Sequence, residues 1–322
     1  MRTINKILFA LLCTVTFAIV FIISMGLRFG KAIEESKATI SVDWNDDTGS
    51  VHKDLRYNNT EDCGYDLYLP APRSKSSRYS LILFIHGGSF TGGDKSEGDV
   101  WCKYYASRGY VAATVNYTLH NDKHPSSINI MHNDIKTCVD SIKAKCMTLG
   151  YHIDEMATTG VSAGGCLAML YAYREADSSS VPLKFVFQQT GPTSFHCEHW
   201  GFEEKDEKVT FASMLLGQSI TDSMIANETF RLMIDSISPA CHITPRSVPT
   251  ICAYGPNDRI VPTNQKFILM DSLKRHGVPH IYIEFPNSGH ALANDPDSMA
   301  AYVARADEFC DKYFKNKTDA PL

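Results

Sequence analysis

A serine able to serve as a nucleophile stands at position 162, in the run Thr158-Thr159-Gly160-Val161-Ser162-Ala163-Gly164-Gly165. Glycine–x–serine–x–glycine spacing describes a sharp strand-to-helix turn that holds the serine Oγ exposed. Residues 156–160 read as the incoming strand, and a helix is expected from Ala163 onward. A Cβ two residues before or after the serine would crowd the neighbouring strand or helix at so tight a bend, which accounts for Gly160 and Gly164. A serine hydroxyl is a weak nucleophile alone. It needs a neutral imidazole to take its proton and a carboxylate to orient the ring and stabilise the imidazolium. The rest of the chain must therefore bring a histidine and an acid to this turn.

The elements that could do so alternate. Residues 51–57 and 65–69 read as an antiparallel hairpin at a sheet edge, closed by Pro70-Ala71-Pro72. Residues 81–85 form a continuous apolar run, as expected of a strand buried on both faces, and lead into His86-Gly87-Gly88. A helix over 100–108 and a strand over 110–115 follow. Met131, Ile135, Cys138, Val139, Ile142, Cys146 and Leu149 keep helical spacing up to Gly150. The helix after Ser162 ends near Glu175. Strands are expected at 183–187, 250–254 and 281–285, with helices over 262–276 and 297–315. Such alternation predicts one α/β domain with a mostly parallel central sheet flanked by helices. Between 192 and 249 the alternation stops for about 57 residues, far more than an ordinary loop. Helical pieces at 211–216 and 224–237 make this a small helical cap insertion, placed at the carboxyl end of the sheet where ligands bind in open α/β folds.

Ser162 in its turn, the His86-Gly87-Gly88-Ser89-Phe90 loop after a buried strand, and a later Asp and His together resemble the α/β-hydrolase superfamily. The chain is most similar to its carboxylesterase branch, which includes hormone-sensitive-lipase-like and acetylxylan/feruloyl-esterase-like enzymes. Asp66-Leu67-Tyr68-Leu69-Pro70, Gly92-Gly93-Asp94-Lys95 and Val115-Asn116-Tyr117 are further matches. The resemblance runs from about Tyr65 to the C-terminus. It departs from the family at Ser89, where a third glycine is usual. It implies an α/β-hydrolase fold and a triad in the order serine, acid, histidine. That order selects Asp258 in Tyr254-Gly255-Pro256-Asn257-Asp258 and His290 in Asn287-Ser288-Gly289-His290. It also implies an oxyanion hole from the backbone N–H groups of Ala163 and of Gly87 or Gly88. The implied activity is hydrolysis of a short-chain carboxylic ester, an acetyl or feruloyl ester on a carbohydrate being the family-level expectation. Two alternatives stay open: an amidase, aryl formamidase or peptidase of the same fold, and a non-catalytic binding protein on a hydrolase scaffold.

No cofactor is implied. His196-Cys197-Glu198-His199 is not H-E-x-x-H, and its spacing suits no common zinc site, so no metal is expected there. His196, with Phe195 and Trp200, is expected to line the cap or pocket mouth, and Ser89 and Phe90 to complete the substrate pocket. His86 is expected to shape the oxyanion loop, Asp134 to serve as a structural hydrogen-bonding or cap residue, and Asp94 and Lys95 to form a surface turn with a structural pair.

The chain has 322 residues, 44% of them hydrophobic and 21% charged, enough for one sizeable domain. A formal net charge of −5 without a basic cluster gives no support to nucleic-acid binding. Residues 7–27 are uncharged and mostly apolar, flanked by Arg2, Lys6, Arg28 and Lys31. As a helix they would span about 31 Å, matching a bilayer core. The expectation is a signal anchor over 1–31, a polar tether over 32–50 and a catalytic domain over 51–322 facing outward, with secretion after cleavage as the alternative. Of the ten cysteines, Cys138 and Cys146 lie about 12 Å apart on one helix and cannot pair with each other; mostly free thiols are expected, with one or two bridges among Cys63, Cys102, Cys197, Cys241, Cys252 and Cys310 left open. N-x-S/T sequons occur at Asn58, Asn116, Asn227 and Asn316; the one at Asn116 sits at the end of a core strand.

Overall fold

Apolar runs flanked by helical periods become the centre of a sheet. The computed structural model describes residues 40, 42–60, 62–72, 77–121, 125–225 and 227–316. Its strands are β1 (Gly49–Arg56), β2 (Gly64–Pro70), β3 (Arg78–Ile85), β4 (Val111–Val115), β5 (His152–Val161), β6 (Leu183–Gln189), β7 (Thr250–Tyr254) and β8 (His280–Glu284). They lie in one sheet in the order β1-β2-β4-β3-β5-β6-β7-β8. Only β1 and β2 run antiparallel to their neighbours, as the expected edge hairpin; β4 through β8 pair in parallel.

Side chains alternate across β3. Leu81, Leu83 and Ile85 join one apolar cluster, and Ile82 and Phe84 join the other, so the two clusters lie on opposite faces. The first is covered by α2 (Ile128–Thr148), α3 (Ala163–Arg174) and α7 (Asn264–Arg275), through residues such as Ile135, Leu167 and Leu269. The second is covered by α1 (Asp99–Ser107) and α8 (Pro296–Tyr313), through Tyr105 and Tyr302. Burial on both faces is what makes the continuous apolar runs of β3 and β4 stable as central strands.

Between β6 and β7 lies the insertion, with α4 (Lys205–Leu216), α5 (Asp222–Ile225), α6 (Glu228–Ile237) and one-turn helices at Cys197–His199 and Pro239–His242. The expected single helix over 224–237 is two. Asn227 breaks it: its backbone is extended and its side chain accepts the Phe230 N–H as an N-cap. The domain also starts before residue 51. Ile40 is buried and Trp44 packs against the second cluster, so two apolar residues of the expected tether belong to the body.

Among the described residues every cysteine is a free thiol, and all but Cys241 are buried. The apolar run 7–27 lies outside the described residues; among those described, no helix is long and apolar enough to cross a membrane.

Candidate active site

The carboxyl ends of β5, β7 and β8 bring three distant side chains together. Ser162 follows β5 with a positive φ that residues with a side chain rarely adopt, φ 56° and ψ −122°. Its amide donates to the Gln189 carbonyl at the end of β6 (2.9 Å) and its carbonyl accepts from Cys166 in α3 (3.0 Å). Serine usually caps a helix with its side chain. Here the side chain caps nothing. Its Oγ lies 2.8 Å from His290 Nε2. His290 Nδ1 lies 2.8 Å from Asp258 Oδ2. An ionised carboxylate can only accept, so the ring proton sits on Nδ1 and the Nε2 lone pair faces the serine hydroxyl. The other Asp258 oxygen accepts the amides of Ile260 (2.9 Å) and Val261 (3.0 Å), which fixes the carboxylate's plane. All three groups are at least nine-tenths buried, so their hydrogen bonds are weakly screened by solvent.

The turn tolerates only glycine at its flanks. A Cβ on Gly164 would lie 2.0 Å from the Ile85 carbonyl oxygen and 2.4 Å from that of His86. The end of β3 is thus pressed against the first turn of α3. It carries the loop expected to form an oxyanion hole, and a Cβ on Gly87 would sit 3.5 Å from Ser162 Cβ. Ala163 opens α3, and the first amides of a helix have no partner within it. Gly88 has φ +103° and its carbonyl accepts the amides of Thr91 (3.0 Å) and Gly92 (2.9 Å), folding the loop back on itself. Ser89 and Phe90 follow with φ 54° and 66°. Such strain persists only where the surroundings over-determine it.

Those surroundings are the three matched motifs. The His86 ring stacks on Tyr117 at 4.4 Å between centroids, and the Tyr117 hydroxyl donates to the His86 carbonyl at 3.0 Å. His86 Nδ1 bonds the Gly87 carbonyl (2.8 Å), and burial lowers the ring's pKa, which favours the neutral form. Asn116 accepts the Lys95 amide (2.6 Å) and donates to Asp94 (3.0 Å). Lys95 Nζ lies 2.7 Å from Asp66 and 2.9 Å from Asp54. Burial opposes its charge, but the bonds to Asp66 and Asp54 outweigh it and its pKa is raised. The expected structural pairing is there, but its partners lie on the edge hairpin, so Asp94 and Lys95 tie that hairpin to the loop. The Glu97 carboxyl is raised by burial, against which the amides of Asp94 and Gly87 support its charge.

Comparison with known proteins fits this geometry. A family model, BD-FAE, matches residues 65–273. The chain belongs to the BD-FAE family. Beyond that model, it is 27% identical over 248 residues to the probable carboxylic ester hydrolase LipM of Mycobacterium tuberculosis, covering 70% of this chain and 53% of that protein. It is also 27% identical over 123 residues to the esterase LipI of the same organism, covering 38% of each. The chain thus spans about half the length of these curated relatives or less. Among solved structures, a truncated carbohydrate esterase from gut microbiota superimposes with a TM-score of 0.67 at 16% identity, over 83% of this chain and 98% of that one. An esterase from Thermogutta terrifontis gives 0.63 at 22%, over 82% and 92%. The fold is that of the α/β-hydrolases.

In this BD-FAE chain the expected pocket residues divide. Phe90 meets Phe195 edge-on at 6.0 Å, and Phe195 stacks on Trp200 at 5.8 Å. Phe195 has no exposed surface, so it supports the wall rather than offering a face to a ligand. Trp200 is half-buried and its Nε1 donates to the Ser194 carbonyl. Ser89 is exposed. The His196 ring turns to Asp235 at 2.8 Å. Asp134 accepts the Thr118 amide at 2.9 Å, a structural bond as expected.

One residue escaped the sequence reading. Asp295 accepts the Asn287 amide (3.1 Å), the Asn287 side-chain amide (2.8 Å) and the Ser288 hydroxyl (2.5 Å), while Ser288 Oγ accepts the Asn294 amide (3.0 Å). The Ser288 carbonyl in turn accepts the Asn257 amide (3.2 Å), beside Asp258. A buried carboxylate thus holds the histidine loop, and that loop docks on the acid loop. In sequence Asn294-Asp295-Pro296 reads only as an ordinary helix start, although Asp295 makes no cap bond. Asp295→Ala is expected to lower kcat on a chromogenic ester by about 10²-fold with KM within a few-fold, because ångström-scale misplacement of a catalytic group costs about that much. Parallel kinetics on Asp295→Asn, which keeps an acceptor oxygen, should recover part of the loss. Unchanged kcat in Asp295→Ala would show that the loop holds its shape without the carboxylate.

Proposed function

We propose that this chain is a serine carboxylester hydrolase acting on short-chain acyl esters by an acyl-enzyme mechanism. The observation that carries the reading is the unbroken hydrogen-bonded line from Ser162 through His290 to Asp258. Ser162 Oγ attacks the ester carbonyl carbon while its proton passes to His290 Nε2, and Asp258 stabilises the imidazolium. The carbonyl oxygen becomes an oxyanion facing the amides of Ala163 and of Gly87 or Gly88, each such donor contributing about 3–4 kcal/mol to the transition state. The intermediate collapses as His290 gives the proton to the departing alkoxide, releasing the alcohol. Water then gives a proton to His290, adds to the acyl carbon, and the carboxylic acid leaves with Ser162 Oγ reprotonated.

Preference for a short acyl group is supported by the closed aromatic packing of Phe90, Phe195 and Trp200 beside the loop. One solved relative carries propionate and another is inhibited by a tributyrin phosphonate. A carbohydrate-linked alcohol is suggested by the structural neighbour that is a carbohydrate esterase. The apolar run 7–27 supports attachment of the catalytic domain to a membrane, facing outward.

The test pairs an active-site label with a substrate panel. A fluorophosphonate probe should label the chain at Ser162, and p-nitrophenyl esters from acetyl to decanoyl should show turnover falling with chain length, with the matched anilides hardly cleaved. Absence of labelling would assign the fold to binding alone. Anilides cleaved as fast as esters would assign an amidase or peptidase instead.

A further inference from the structure

The cap insertion gathers a second set of chemically able side chains, remote in sequence from the triad. His196 lies in the loop leaving β6, Asp235 on α6, and Cys241 in the one-turn helix after α6. His196 Nε2 is 2.8 Å from Asp235 Oδ1, and Cys241 Sγ is 3.3 Å from that same oxygen. The three donor atoms all fall within 4.8 Å of one another, and among the described residues no other three His, Cys, Asp or Glu donors are shown converging so closely. We propose that His196, Asp235 and Cys241 form a binding site for one transition-metal dication, zinc being the best match, which pins the start of the cap insertion to its end.

The donor set selects the ion. Imidazole nitrogen, carboxylate oxygen and thiolate sulfur suit zinc and its borderline neighbours, whereas calcium and magnesium require six or more oxygens. Three protein ligands leave a fourth tetrahedral position for water. Metal–ligand bonds of about 2.0–2.3 Å place neighbouring donors roughly 3–4 Å apart; here the two pairs through Asp235 stand at 2.8 and 3.3 Å and the third within 4.8 Å, so small side-chain shifts would seat an ion. Burial and the bond to the Asp235 carboxylate push the Cys241 thiol up to about 12, with the Arg231 guanidinium opposing them, so an ion must displace this proton to bind.

Protons balance simply. Now His196 Nε2–H donates to Asp235, since the carboxylate only accepts. On metal binding the ring proton resides on Nδ1 and the Nε2 lone pair goes to the ion, while the Cys241 thiol releases its proton to solvent. Nδ1 lies 3.9 Å from the Glu198 carboxylate, so a short side-chain adjustment would let it donate there. A carboxylate behind the outer ring nitrogen is the usual partner of a metal-bound histidine. The local sequence His196-Cys197-Glu198-His199 does not make this site. Cys197 is buried and His199 Nδ1 is paired with Ser194 Oγ at 2.8 Å. The ligands come instead from three segments that only the fold unites.

The consequence is positional. His196 directly follows Phe195, whose ring packs edge-on against Phe90 of the oxyanion loop. An ion on His196 would anchor that aromatic wall to α6.

The test uses the full chain and does not depend on catalysis. Titration with Co²⁺ should give a thiolate-to-cobalt charge-transfer band saturating at one equivalent, and Zn²⁺ should abolish it by competition. Cys241→Ser, a change of one atom at an exposed turn, should remove the band, and His196→Ala should weaken Zn²⁺ binding by about 100-fold or more. Ser162→Ala should bind as the unaltered chain does, which separates this site from the proposed active site. Circular dichroism should show both ligand variants folded. No charge-transfer band, a band that survives Cys241→Ser, or Zn²⁺ affinity unchanged in folded His196→Ala would overturn the proposal.

Discussion

Ser162→Ala is expected to reduce kcat on a p-nitrophenyl ester by about 10⁴–10⁶-fold while leaving the thermal midpoint nearly unchanged. The Oγ makes its hydrogen bond to His290 and caps no helix, so its removal deletes the attacking atom without uncovering a backbone donor. Residual activity should come from whatever binding and oxyanion stabilisation survive without covalent catalysis. Asp258→Asn should cost about 10⁴-fold for a different reason. Its retained carbonyl oxygen can still serve Ile260 and Val261, so the loop should keep its shape. The amide NH₂, turned toward Nδ1, then donates where the carboxylate accepted, which forces the ring proton to Nε2 and leaves nothing to take the serine proton. The double variant should be little worse than Ser162→Ala, because the three groups act as a unit. Steady-state kinetics with a melting curve on each variant decide this. Turnover in Ser162→Ala comparable to the unaltered chain would remove the acyl-enzyme reading.

What was legible in the sequence is what short-range physics controls. The continuous apolar run of β3 marked a buried strand, and the spacing from Met131 to Leu149 marked a helix facing a core. Gly160 and Gly164 marked a bend whose tightness the Ile85 and His86 carbonyls now explain. Asp258 and His290 came from the family resemblance, whose order of serine, acid and histidine points to the loops after the two late strands. What stayed hidden depends on partners far along the chain. Asp295 looks like a helix cap until the Asn287 and Ser288 bonds are seen. Lys95 looks like a surface residue until Asp54 and Asp66 close around it. Ile40 and Trp44 sit in a polar stretch with no periodicity to betray that they are packed. Phe195 was legible as apolar but not as fully covered, since Trp200 and Phe211 reach it only in the folded cap.

The elbow's sterics yield the largest expected loss of stability from one added methyl group. Gly164→Ala places a Cβ 2.0 Å and 2.4 Å from two carbonyl oxygens, both backbone and both at the end of a central strand. Neither can rotate away, so α3 must move off β3 or the strand must shift. Either movement costs about 3 kcal/mol or more, the upper end for overpacked interiors. Gly150→Ala is the comparison that separates sterics from backbone preference. Gly150 has φ +84°, but nothing lies within 4 Å of an added Cβ, so only the left-handed penalty of about 1–2 kcal/mol remains. Melting curves should therefore put Gly164→Ala about 6 °C or more below the parent, or leave it insoluble, and Gly150→Ala about 2–6 °C below. Activity should separate them further. Any displacement of α3 carries Ser162 and the Ala163 amide with it, away from a loop anchored independently by Tyr117, Asn116 and Lys95. Soluble Gly164→Ala should accordingly lose kcat/KM by about 10²-fold at temperatures where it is still folded, whereas Gly150→Ala should keep it. Equal midpoints for the two variants, with Gly164→Ala fully active, would mean that the bend at Ser162 is looser than the carbonyl contacts require.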